Sequence, residues 1–102
     1  MCGIFSVLNN VYSLKDVETN FNKGKNRGPE SSTLVINNEY NYIIGFHRLA
    51  INGFNNPKSE QPLKFQNCTL ICNGEIYNWE KLHTLVNVPK YSGSDCEIII
   101  HL

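Results

Sequence analysis

The sequence predicts an α+β domain, rich in short strands and carrying two or three short helices. Two patterns predict it. β-branched and aromatic runs close on Asn-rich turns, and capping residues precede apolar residues at helical spacing. The length of 102 residues adds a limit, since it suffices for one modest core and no second catalytic domain.

In chain order, Cys2 to Leu8 reads as a strand closed by Asn9-Asn10. Ser13 and Asp16 form a cap ahead of Leu14, Val17 and Phe21, which predicts a short helix ending before Gly24. Lys23 to Ser32 is a polar loop containing Arg27-Gly28-Pro29-Glu30. Thr33 to Ile36 and Tyr40 to His47 read as a hairpin about Asn37-Asn38-Glu39. Asn52 to Pro62 is a breaker-rich loop, and Cys68 to Cys72 a strand ending at Asn73-Gly74. Asn78 can cap a helix that carries Trp79, Leu82, Leu85 and Val86 and stops by Pro89. Ser94-Asp95-Cys96-Glu97 is a capping box before an apolar run, which predicts a helix that the chain leaves after about two turns. A final strand over Glu97 to Leu102 is the alternative, and three consecutive isoleucines would suit it.

Composition narrows the function. Apolar residues at 41% exclude a disordered chain, and nine Lys+Arg against nine Asp+Glu leave no basic excess for nucleic acid or an anionic membrane. No apolar run approaches the ~20 residues of a membrane span, and no basic, apolar secretion leader opens the chain, so a cytoplasmic location is expected. Cys68 and Cys72 would lie about 13 Å apart on one strand face, too far for a disulfide or a shared metal ion. Buried free thiols are therefore expected there. No metal site is expected, because His47, His83 and His101 stand singly and are read as structural or exposed.

Cys2 is the sharpest chemical feature. Removal of Met1 would place a thiol nucleophile and a free α-amine on one residue, and that amine titrates near ~7.7–8.0, suited to a base at neutral pH.

Five segments then share one resemblance. Met1-Cys2-Gly3-Ile4-Phe5, Arg27-Gly28-Pro29-Glu30, His47-Arg48-Leu49-Ala50-Ile51, Asn73-Gly74-Glu75-Ile76-Tyr77-Asn78 and Gly93-Ser94-Asp95-Cys96-Glu97 resemble, in order, the landmarks of class II glutamine amidotransferase domains. The nearest likeness is to the N-terminal glutaminase domain of glutamine-hydrolysing asparagine synthetases. The resemblance implies a four-layer αββα Ntn-hydrolase sandwich with antiparallel sheets. Residues 1–102 would be its N-terminal part, incomplete at the C-terminal end and lacking a synthetase domain.

It also implies roles. Cys2 would attack the side-chain amide of L-glutamine, with its own α-amine as base. The Asn73 side chain and the Gly74 N–H would form the oxyanion hole. Arg48 would clamp the substrate α-carboxylate and Asp95 its α-ammonium, while Glu75 and the main chain of Leu49, Ala50, Ile51 and Asn52 complete the pocket. No cofactor is implied for these residues; ATP and Mg would belong to the synthetase domain, which, like a second chain completing the fold, is an expected partner. Ser6, Asn26 and Glu30 depart conservatively from the family's usual Gly, His and Asp. The alternative is a truncated, non-catalytic remnant or interaction module of the same family. Residues 1–102 alone are expected to be poorly folded and catalytically near-silent.

Overall fold

The computed structural model describes residues 2–51 and 56–102. Its architecture is mixed α and β with antiparallel sheets throughout. A three-stranded sheet has β1 (Gly3–Leu8) and β2 (Ser31–Asn37) on either side of β3 (Tyr42–Arg48). β2 and β3 form the expected hairpin, with the turn shifted to residues 38–41 and Tyr40 exposed in it. In the other pairing Gly3 stands opposite His47. That register brings the start of β1, and so Cys2, beside the end of β3.

One face of this sheet is covered by α1 (Leu14–Asn22), which starts as predicted. The Ser13 hydroxyl accepts the Asp16 N–H, and Val17 and Phe21 are the buried pair. Phe21 stacks on His47 at 4.0 Å between centroids and meets Phe5 edge-on at 5.6 Å. A ring buried this way contributes about 2–3 kcal/mol. It requires Gly45, where an added Cβ would lie 2.5 Å from the Phe21 ring. His47 is a core residue, as its reading as structural implies. Its Nε2 donates to the Phe21 carbonyl at 2.8 Å, and its Nδ1 shares a 2.7 Å hydrogen bond with the Ser32 hydroxyl.

The second half of the described chain gathers around Ile98, which is fully buried. A hairpin of β4 (Leu63–Phe65) and β5 (Cys68–Leu70) packs there with α2 (Trp79–Val86) and a 3-10 helix over Asp95–His101. β4 was not foreseen, because three residues behind a proline and containing Lys64 carry too little pattern. β5 stops at Leu70, two residues earlier than predicted. Cys68 is exposed and Cys72 half-buried, not buried as expected, because Cys68 opens a strand in a two-stranded sheet. α2 ends on Asn87 in the left-handed conformation, just ahead of Pro89.

The predicted capping box is not formed, and neither is the final strand. Ser94 makes no side-chain cap, and residues 95–101 wind as a 3-10 helix. Glu97 is occupied elsewhere. Its buried carboxylate accepts the N–H groups of Tyr91 and Ser92, the Ser92 hydroxyl and the His101 ring. Burial works to raise its pKa, but these hydrogen bonds, led by the Ser92 hydroxyl, outweigh it and hold the group below the usual 4.5. A lowered carboxylate stabilises the fold above its unfolded value, and the contribution is lost as pH falls through the folded one. Glu97→Gln is therefore expected to remove about 2 kcal/mol at neutral pH. Urea midpoints of the full-length protein measured from pH 7 to pH 3 should show the wild-type and variant curves converging in acid.

No helix among the described residues is long and apolar enough to cross a membrane.

Candidate functional site

Antiparallel pairing of β1 with β3 sets the Cys2 thiol against the backbone that follows Arg48. Sγ lies 3.3 Å from both the Leu49 N–H, which donates to it, and the Leu49 carbonyl, which can accept from it. The Cys2 carbonyl accepts from Arg27 Nε at 3.3 Å, and Glu30 accepts the Ala50 N–H at 2.8 Å. The loop read as Arg-Gly-Pro-Glu thus grips the start of β1 and the exit of β3 together.

Cys2, Leu49 and Ala50 line a cavity of about 330 Å³, within the size range of small-ligand sites. The structure brings to it Cys2, Arg48, Leu49, Ala50 and Ile51 from the sheet side, and Asn73, Gly74, Glu75 and Asp95 from the other half. Every predicted site residue is there except Asn52, which lies outside the described residues.

Arg48 is mostly covered and pairs with Glu60 at 3.6 Å between Nη1 and Oε1. Asp95 is buried and accepts the Ile76 N–H at 2.6 Å, which holds the chain after Glu75. Asn73, Gly74 and Glu75 are exposed on the cavity rim. The space beside Gly74 is open, because an added Cβ would find only Cys72 Sγ, at 4.0 Å.

Several lining residues were not among the predicted site residues. Phe46 forms buried floor, while Gln61, Cys72 and Cys96 belong to the wall. Gln61 falls in the breaker-rich loop of the sequence reading, and no local pattern announces a side chain that bonds backbone eleven residues away. Cys96 Sγ reaches the Gly74 carbonyl at 3.5 Å. Burial first, then the Cys72 side chain and the negative charge of Asp95, push its thiol up to about 12, so it stays protonated at neutral pH. Cys96 is wall and not nucleophile.

A thiol with a backbone donor, a covered guanidinium and a loop of exposed amide groups converge on one amino-acid-sized cavity, an arrangement fit for nucleophilic attack on a small substrate. The chain belongs to the family described as glutamine amidotransferase domain, which it matches over residues 1–102. Among curated relatives it is 34% identical over 108 residues to a probable glutamine-hydrolysing asparagine synthetase of Acanthamoeba polyphaga mimivirus. It is 36% identical over 110 residues to asparagine synthetase 1 of Arabidopsis thaliana, and 36% over 112 to a probable asparagine synthetase of Dictyostelium discoideum. Each match takes in the whole of this chain but only 20%, 18% and 19% of the relative. The chain thus spans about a fifth of their length.

Proposed function

We propose that this chain is the glutamine-hydrolysing portion of an asparagine synthetase-like enzyme and releases ammonia from L-glutamine. The observation that carries the reading is the single cavity where Cys2 meets Arg48, Asn73, Gly74 and Asp95. The α-amine of Cys2 takes the thiol proton, and Sγ attacks the carboxamide carbon of glutamine. The carbonyl electron pair moves to oxygen, and the Asn73 side chain and Gly74 N–H receive that charge. Collapse breaks the C–N bond and expels ammonia, which takes up the proton held by the amine. Water then cleaves the γ-glutamyl thioester to glutamate and free thiol.

Arg48 holds the substrate α-carboxylate, sharing or exchanging its contact with Glu60, and Asp95 holds the α-ammonium. The fold is the four-layer Ntn sandwich, completed by further strands outside residues 1–102. The ammonia is taken up by a synthetase region, where ATP and Mg would act. The gathering of these residues in one cavity favours the catalytic reading over a non-catalytic interaction module.

The test is joint. Intact-protein mass spectrometry of the full-length protein should show Met1 removed, and the same material should release ammonia from glutamine. A retained or acetylated Met1 in active enzyme would rule out the α-amine as base.

Arg48→Lys should raise the KM for glutamine roughly 10- to 100-fold and change kcat only a few-fold, because lysine keeps the charge and loses the two-point fork. Steady-state kinetics checks this, and an unchanged KM would remove Arg48 from substrate binding.

A further inference from the structure

We propose that Gln61 is a positioning residue that sets the oxyanion hole by serving as a one-residue substitute strand for the segment leading into Asn73. The inference rests on the glutaminase reading above and extends it to a residue that does not touch substrate.

The β4–β5 ladder pairs Leu63 with Leu70 and ends there, so the ladder itself does not hold the path from Ile71 to Gly74. The Gln61 side chain takes over. Its Nε2 donates to the Cys72 carbonyl at 3.0 Å, and its Oε1 accepts the Cys72 N–H. One primary amide thus satisfies both backbone groups of one residue, as a neighbouring strand would. Gln61 is buried at 7% exposure, so its amide has left water, and a lost partner there would be expensive.

Geometry makes this matter for catalysis. The Cys72 carbonyl lies in the peptide plane that carries the N–H of Asn73, so fixing it fixes the direction in which Asn73 leaves the wall. Downstream the loop is held separately, by Cys96 Sγ on the Gly74 carbonyl and by Asp95 on the Ile76 N–H. Asn73 itself is exposed, so crowding does not orient it. Gln61 therefore sets the upstream end of the loop, and a displacement of about 1 Å at such a donor is enough to lower the rate about 100-fold.

The experiment uses the full-length protein with Gln61→Met, which removes both bonds, and Gln61→Glu. The glutamate keeps the acceptor for the Cys72 N–H and loses the donor. Four quantities are measured: kcat, KM for glutamine, the rate of Cys2 alkylation by iodoacetamide, and affinity for the γ-semialdehyde of glutamate. That aldehyde adds the Cys2 thiol: a C–S bond forms, the carbonyl pair moves to oxygen in the hole, and the oxygen acquires the thiol proton.

The expected result is a kcat lowered roughly 10- to 100-fold and aldehyde affinity lowered by the same factor. KM and alkylation rate should stay within about threefold of wild type. If Gln61→Met fails to fold, Gln61→Glu carries the test. Unchanged kcat and aldehyde affinity would overturn the proposal, and so would a fall in kcat that leaves aldehyde affinity intact. Asn73→Ala separates the two levels. If it loses kcat and aldehyde affinity while the Gln61 variants lose neither, only the Gln61 assignment falls. If Asn73→Ala behaves as wild type, the oxyanion-hole reading falls and this inference with it.

Discussion

Cys2→Ala should lower glutamine hydrolysis by at least about four orders of magnitude, the scale seen when a catalytic nucleophile is removed. In the proposed mechanism the thiol supplies the bond that splits amide hydrolysis into two easier steps, and no other group among the described lining residues is equipped to replace it. Cys96 faces the same space, but its thiol, pushed up to about 12 chiefly by burial, stays protonated. Cys72 also lines the cavity, yet its backbone is tied to Gln61 and it has no α-amine of its own. Glutamine affinity should change little, because Arg48 and Asp95 are left in place. Ammonia release and calorimetric titration of glutamine, run on one preparation, check both halves. Residual activity above about one per cent would transfer the nucleophile to Cys72 and undo the assignment.

What could be read from the sequence followed a physical pattern. Local interactions were legible: the Ser13 cap, the Val17 and Phe21 face, the hairpin over 31–48 and the stop before Pro89. The residues singled out by the five family-like segments share one cavity, apart from Asn52, which lies outside the described residues. Long-range choices were not legible. Whether Glu97 closes a capping box or satisfies the 91–92 backbone depends on a loop whose course no short motif encodes. The same holds for Gln61, which bonds Cys72 across the β4–β5 hairpin. In both cases a polar side chain found a tertiary partner, and local propensity lost. The result was a 3-10 helix in place of an α-helix and a strand cut short at Leu70.

The second large effect is on stability, and two glycines distinguish it from chemistry. Gly28 lies against the exit of β3, where an added Cβ would stand 2.1 Å from the His47 carbonyl oxygen and 2.6 Å from the Arg48 carbonyl carbon. Its φ of −149° is open to any residue, so the requirement is space and not conformation. Both neighbours are backbone, and β3 is the central strand, paired on each side, so neither can yield without moving the sheet. Gly28→Ala should therefore destabilise the full-length protein by about 3 kcal/mol or more, the upper end of overpacking. The displaced loop would also release the Glu30 N–H from the Arg48 carbonyl, the Glu30 carboxylate from Ala50 and Arg27 from the Cys2 carbonyl. The folded fraction should then show a raised KM for glutamine as well. Gly74→Ala is the counterpart. Its Cβ would enter open space, so thermal unfolding should be unchanged, while kcat falls because the added methyl projects beside the proposed oxyanion donor. Paired thermal scans and steady-state kinetics on the two variants test the division. A Gly28→Ala protein with a wild-type Tm would show that the Arg27–Glu30 loop is not wedged against β3. It would then have to hold the site by its hydrogen bonds alone.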